Sequence, residues 1–157
     1  MTQPFAPSET VIPLPTEADT ARLGAKLAAL ARPGDCFLLE GPIGAGKSHL
    51  ARSFIRARLG RMEEVPSPTF TLVQVYPADG VEIWHADLYR LTHPDEVWEL
   101  GLDDAFTQAI TLVEWPDRLG AHLPDGALRI KLEPLGDGRR AVLSGGRAGL
   151  LQDLADD

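Results

Sequence analysis

The chain has 157 residues, 44% of them hydrophobic, enough for one domain with a sizeable core. Its net charge of −8 and pI near 4.9 argue against unaided nucleic-acid binding, because no basic face offsets the acid. A single cysteine excludes a disulfide framework, and no apolar run nears the roughly 20 residues of a membrane span, so a soluble protein of the reducing cytoplasm is expected.

Residues 1–9 hold Pro4, Pro7 and Glu9 and no basic segment, so the expectation is a loose tail without a signal peptide. Residues 10–14 read as an edge strand, since Pro13 removes a ladder donor. Thr16-Glu17-Ala18-Asp19 reads as a capping box with Asp in place of the usual Glu. Leu23, Leu27 and Leu30 then form one helical stripe, stopped by Arg32-Pro33-Gly34. Cys36-Phe37-Leu38-Leu39 is an apolar run of strand length, and Cys36 within it belongs to the core.

Gly41-Pro42-Ile43-Gly44-Ala45-Gly46-Lys47-Ser48 follows, the pattern G-x-x-x-x-G-K-[ST]. A triphosphate needs a concave row of backbone N–H donors, and glycines let the backbone come that close. Lys47 would reach the β and γ phosphates of ATP, the Ser48 hydroxyl would hold Mg²⁺, and the following helix points its positive end at the anion. Leu50, Ala51, Phe54, Ile55 and Leu59 recur at helical spacing up to Gly60, so strand, glycine loop and helix come in the order this chemistry requires.

Pro66-Ser67-Pro68-Thr69 is a stiffened loop whose free hydroxyls are Ser67 and Thr69. Residues 70–76 and 81–88 read as strands joined by the turn 77–80, a connection short enough to force an antiparallel pair. His85, Asp87 and Tyr89 alternate and should share a face, either as functional groups or as packed residues with Asp87 capping a turn. A helix is expected over 92–100 and a brief one over 103–108. Residues 109–114 form an apolar strand ending in the carboxylate of Glu114, the place where phosphate-loop proteins complete their Mg²⁺ site. Leu128, Ile130 and Leu132 alternate as a strand, 135–138 turn, 141–143 pair back, and residues from Gly145 onward are expected to be a frayed tail. The fold class is therefore α/β: a three-layer phosphate-loop NTPase with a mixed, partly antiparallel sheet.

Four pieces in fixed order, 41–48, Ser67-Pro68-Thr69-Phe70, His85-Ala86-Asp87-Leu88-Tyr89-Arg90 and Val113-Glu114-Trp115-Pro116, resemble the TsaE (YjeE) ATPase family of bacterial threonylcarbamoyladenosine tRNA modification. The resemblance spans about residues 10–135. It implies an ATPase that binds the TsaD–TsaB heterodimer and supports turnover without transferring the threonylcarbamoyl group, meeting tRNA only through that complex. By position, Thr69 resembles a loop threonine near Mg²⁺, Glu114 the metal-site acid, Asp87 an active-site aspartate and Trp115 an aromatic at the nucleotide. Thr20 matches a threonine near the nucleotide. The departures are Pro42 and Ile43 for a commoner acid and leucine, and Ser48-His49 for two threonines; Ser48 keeps the hydroxyl, while His49 has no assigned role.

A small-molecule kinase shares the phosphate loop but needs an acceptor pocket and an arginine-bearing lid, for which Arg90 and Arg118 are the visible candidates. A regulatory GTPase is disfavoured because the chain contains no asparagine for the guanine-reading motif. With no clear arginine finger, hydrolysis should be slow until a partner closes over the 66–69 loop and the 94–106 region.

Overall fold

The computed structural model describes residues 9–61, 64–66, 68 and 71–155. Strands β1 (Glu9–Leu14), β2 (Cys36–Glu40), β3 (Val73–Ala78), β4 (Val81–Asp87), β5 (Ile110–Glu114), β6 (Leu128–Leu135) and β7 (Gly138–Gly145) form one sheet in the order β1-β7-β6-β2-β5-β4-β3. The four central strands β6, β2, β5 and β4 run parallel, and antiparallel pairs close both margins. The sheet is thus mixed, as expected. Pro13 and Pro77 lie in β1 and β3, the two edge strands, where a missing N–H costs the ladder least.

Helices α1 (Glu17–Leu30) and α2 (Lys47–Leu59) cover one face, against Phe37, Leu39, Ile83, Ile110 and Leu112. On the other face Cys36, Leu38, Ala86 and Val113 meet Val97 of α3 (Glu96–Leu100), Leu102 of α4 (Leu102–Gln108) and Leu119 of a 3₁₀ segment, Pro116–His122. The alternation of strand residues between these two clusters makes the three layers. It also explains why β2 and β5 are apolar throughout: both faces are covered.

Local chemistry sets the boundaries. Thr16 and Asp19 form the capping box, so the shorter acid serves. The last turn of α1 carries no basic residue. Its terminal carbonyls are satisfied from elsewhere: Arg58 donates to Ala28 and Ala31 at 2.7 and 3.0 Å, and Arg147 to Leu30 at 2.7 Å. The β3–β4 hairpin turns on Asp79-Gly80 alone, both at positive φ, tighter than the expected 77–80 turn.

Three expectations change. The helix over 92–100 shortens to α3, because Glu96 reaches back to accept from Thr92 N and His93 N and holds 92–95 as a turn. The strand over 70–76 begins at Val73; Phe70 lies outside the described residues, as do 1–8 of the expected tail, while Glu9 opens β1. The chain after Gly145 does not fray: α5 (Leu150–Ala155) buries Leu150 and Leu154 in the core, and Lys26 donates to the Leu154 carbonyl at 3.0 Å. Three glycines at 145, 146 and 149 mask that apolar pair in the sequence. Among the described residues no helix is long and apolar enough to cross a membrane.

Candidate functional site

Parallel strands end at one edge of the sheet, and register places their ends side by side: Glu114 of β5 lies opposite Leu39 of β2 and Asp87 of β4. Ligands of open α/β sheets bind at this carboxyl edge. There β2 passes into the glycine loop. Gly41 has φ 143°, and a Cβ on it would lie 2.6 Å from the Leu132 carbonyl oxygen, so only glycine fits. Gly46, at φ 101°, is the left-handed N-cap of α2, which leaves the helix N-terminus open to an anion.

Lys47 is 6% exposed, and its Nζ donates to the carbonyls of Gly41 at 2.6 Å and Pro42 at 3.0 Å. Burial holds its ammonium below the ordinary lysine pKa, against the opposing pull of the Glu114 and Asp87 carboxylates. The ammonium lies 4.2 Å from the centroid of the Trp115 ring. Trp115 is itself strained, at φ 59° and ψ 53°, a left-handed conformation rare for a bulky residue and opposed further by the following Pro116. Tyr89 packs on it at 5.0 Å, and Arg118 lies 5.8 Å from the Tyr89 ring, so cations and rings alternate outward from the loop.

Glu114 is 2% exposed. The Ser48 hydroxyl donates to its Oε1 at 3.1 Å, and His85 Nε2 lies 2.7 Å from its Oε2. Asp87, also buried, accepts from the Tyr89 N–H at 3.1 Å and so caps a turn while facing the cleft. The expected common face of His85, Asp87 and Tyr89 holds in part: His85 is buried against Glu114, while Asp87 and the half-exposed Tyr89 beyond the strand both line the cleft.

The cleft holds about 440 Å³ and is lined by Lys47, Ser48, Asp87, Glu114, Trp115 and Arg139, with Ile43, Gly44, Gly46 and His49 on its wall. Pro42 takes part through its carbonyl, whereas Ala45 turns into the core. His49 Nε2 meets the Glu17 carbonyl at 3.1 Å, tying α2 to the first turn of α1, which gives this residue a place. Thr20 is buried inside α1 and does not line the cleft. Ser67 and Thr69 lie outside the described residues.

Arg139 is the residue that sequence reasoning missed. The β6–β7 hairpin overhangs the carboxyl edge, and Arg139 Nη2 donates to the Gly44 carbonyl at 3.2 Å. A Cβ on Gly46 would sit 2.6 Å from its Nη1. The basic pair Arg139-Arg140 just after a turn was the only local signal, and it required knowing that β6 neighbours β2.

These residues fit a nucleoside phosphate with Mg²⁺. Among the described residues no group of three or more His, Cys, Asp or Glu side chains forms a metal cage. The buried Glu114 carboxylate, the Ser48 hydroxyl and nearby Asp87 are oxygen donors of the small number that Mg²⁺ takes from protein when phosphates supply the rest.

The profile of the family described as threonylcarbamoyl adenosine biosynthesis protein TsaE matches residues 14–142. A tRNA threonylcarbamoyladenosine biosynthesis protein TsaE of Rickettsia bellii is 36% identical over 133 residues, covering 85% of this chain and 91% of that protein. The protein of the same name from Bacillus subtilis is 38% identical, covering 79% of this chain and 77% of its own length. The crystal structure of Bacillus subtilis YdiB superposes with a TM-score of 0.78 at 26% identity, over 98% of both chains. With the profile spanning most of the chain and relatives of this identity and coverage, the chain belongs to the TsaE family of threonylcarbamoyl adenosine biosynthesis proteins.

Proposed function

We propose that this protein is the Mg²⁺-dependent ATPase subunit of tRNA threonylcarbamoyladenosine modification, acting in the cytoplasm on a TsaD–TsaB complex and meeting tRNA only through it. One observation carries the ATPase reading: the loop lysine, the helix-start serine and the strand-end carboxylate converge in one cleft, with Ser48 Oγ 3.1 Å from Glu114 Oε1. The pathway comes from the family and from relatives named for tRNA modification rather than for a kinase.

The N–H groups of the 41–46 loop and the α2 N-terminus would hold the phosphates, and Lys47 would exchange its two loop carbonyls for phosphate oxygens. Ser48 and Glu114, with Thr69, would hold Mg²⁺, which neutralises phosphate charge when bound. Asp87, beside Glu114 in the cleft, would orient the attacking water. Arg139 adds a cation over the loop.

Calorimetry with Mg²⁺ and ATP tests the binding half. Lys47→Ala removes a charge-assisted contact worth about 1.5–3 kcal/mol, so affinity should fall about ten- to a hundredfold. An unchanged dissociation constant would overturn the site. Turnover tests the rest: hydrolysis weak alone, stimulated by TsaD–TsaB, and unmoved by tRNA without that pair.

A further inference from the structure

His85 is 1% exposed on β4, and nothing in the proposed hydrolysis requires it to touch nucleotide. Through Nε2 it meets Glu114 Oε2 at 2.7 Å, while its Nδ1 makes no hydrogen bond to the described residues. Among the described residues the ring's one polar engagement is therefore Glu114, the proposed metal-site acid.

The placement follows from register. His85 lies opposite Leu112 on the adjacent parallel strand, and Glu114 is two residues beyond Leu112. All three side chains share a sheet face, the one covered by α1 and α2, and α2 brings Ser48 to the same carboxylate. A glutamate carboxyl turns broadly about its last torsion. Held by His85 at one oxygen and by Ser48 nearest the other, this one has its plane fixed before any cation arrives.

We propose that His85 is a positioning residue for the Mg²⁺ site: its imidazole anchors Oε2 of Glu114 and orients the carboxylate to ligate the metal beside Ser48. The inference rests on the proposed Mg²⁺–ATP site. It concerns how the metal ligand is aimed, and His85 itself contacts neither metal nor nucleotide.

The test uses the full chain, with ATP and MgCl₂ as probes and calorimetry as readout. Wild type, His85→Leu and His85→Gln are titrated with ATP across a Mg²⁺ series and again in EDTA. His85→Leu should raise the Mg²⁺ concentration needed for half-maximal ATP binding by about tenfold or more, and leave binding in EDTA unchanged. His85→Gln, whose amide N–H₂ reaches nearly where Nε2 lies, should restore the wild-type Mg²⁺ midpoint. If His85→Leu does not fold, His85→Asn replaces it, since its shorter amide stops short of Glu114. A wild-type midpoint in the leucine or asparagine variant overturns the inference. So does an equal loss with and without Mg²⁺, which marks general damage, or failure of glutamine to rescue. If wild type itself shows no Mg²⁺ dependence, the ATPase reading falls and this inference with it; a normal wild type with an unaffected variant sinks the inference alone.

Discussion

Two buried acids sit at opposite ends of the central strands and are handled in opposite ways. Asp35, just before β2, is 8% exposed; it accepts from Arg147 Nε at 3.1 Å and from the Arg32 backbone N–H at 2.8 Å, and Arg147 also secures the Leu30 carbonyl. Glu114, at the end of β5, is 2% exposed and accepts from a hydroxyl and meets an imidazole, while the nearby Lys47 ammonium is bonded to loop carbonyls. A buried carboxylate with a resident guanidinium is a fastening. One oriented by Ser48 and His85, with the nearest ammonium occupied elsewhere, is suited to a cation that comes and goes. Burial alone does not distinguish the two; the identity of the partners does.

Breaking the fastening should give the largest effect on the fold. Arg147→Ala leaves Asp35 buried without its cation and frees the Leu30 carbonyl. Removing one partner of a fully buried pair costs about 3–5 kcal/mol; with Arg147 23% exposed, about 2–3 kcal/mol is expected. Urea unfolding measures it, and Mg²⁺–ATP affinity should not move. The double variant Asp35→Leu/Arg147→Leu should recover much of the loss, because no unpaired charge remains. A single variant as stable as wild type would show that the pair fastens nothing.

Glu114→Gln should show the reverse pattern. It removes a desolvated charge whose donors are Ser48 and His85, so urea stability should hold or rise slightly. The Mg²⁺ dependence of ATP binding should fall by at least about tenfold, since on the proposed reading Glu114 ligates the metal, and losing a ligand costs no less than losing a group that orients one. If stability collapses while the Mg²⁺ dependence survives, Glu114 is a second fastening and the contrast with Asp35 disappears.

How far the sequence reveals this arrangement depends on the range of each interaction. The loop 41–48, the Thr16 capping box and the apolar strands β2 and β5 are legible because their signals lie within a few residues. Glu114 is legible through its place at a strand end and Trp115 through its adjacency to it, although nothing local announces the left-handed turn at Trp115. Strand order is set by tertiary packing, so the positions of β6 beside β2 and of β1 beyond β7 could not be read. Arg139 and the His85–Glu114 contact are both products of strand order, which is why one was missed and the other left between packing and function. Thr20 shows the converse: a residue matched by motif that the helix turns into the core.

The smallest expected effect concerns Cys36, which adjoins Asp35 at the fastened end. Burial pushes its thiol up to about 12 from an ordinary 9.0, and the neighbouring Asp35 charge adds to it. The fold therefore favours the neutral thiol. Its contribution to stability is complete below pH 9.0, the value in the unfolded chain, and is lost as pH rises toward about 12. Alkylation needs both thiolate and access, and Cys36 is 3% exposed with neither. Iodoacetamide at mildly alkaline pH should leave the native chain unmodified and add one group in concentrated urea, read by mass, since this is the only cysteine. In Arg147→Ala the modification rate should rise in step with the measured loss of stability, because reaction then samples the opened state. Native protein that reacts as fast as the denatured chain would mean that the Asp35 end opens freely. The distinction between a fastened end and a ligand-receiving end would then not hold.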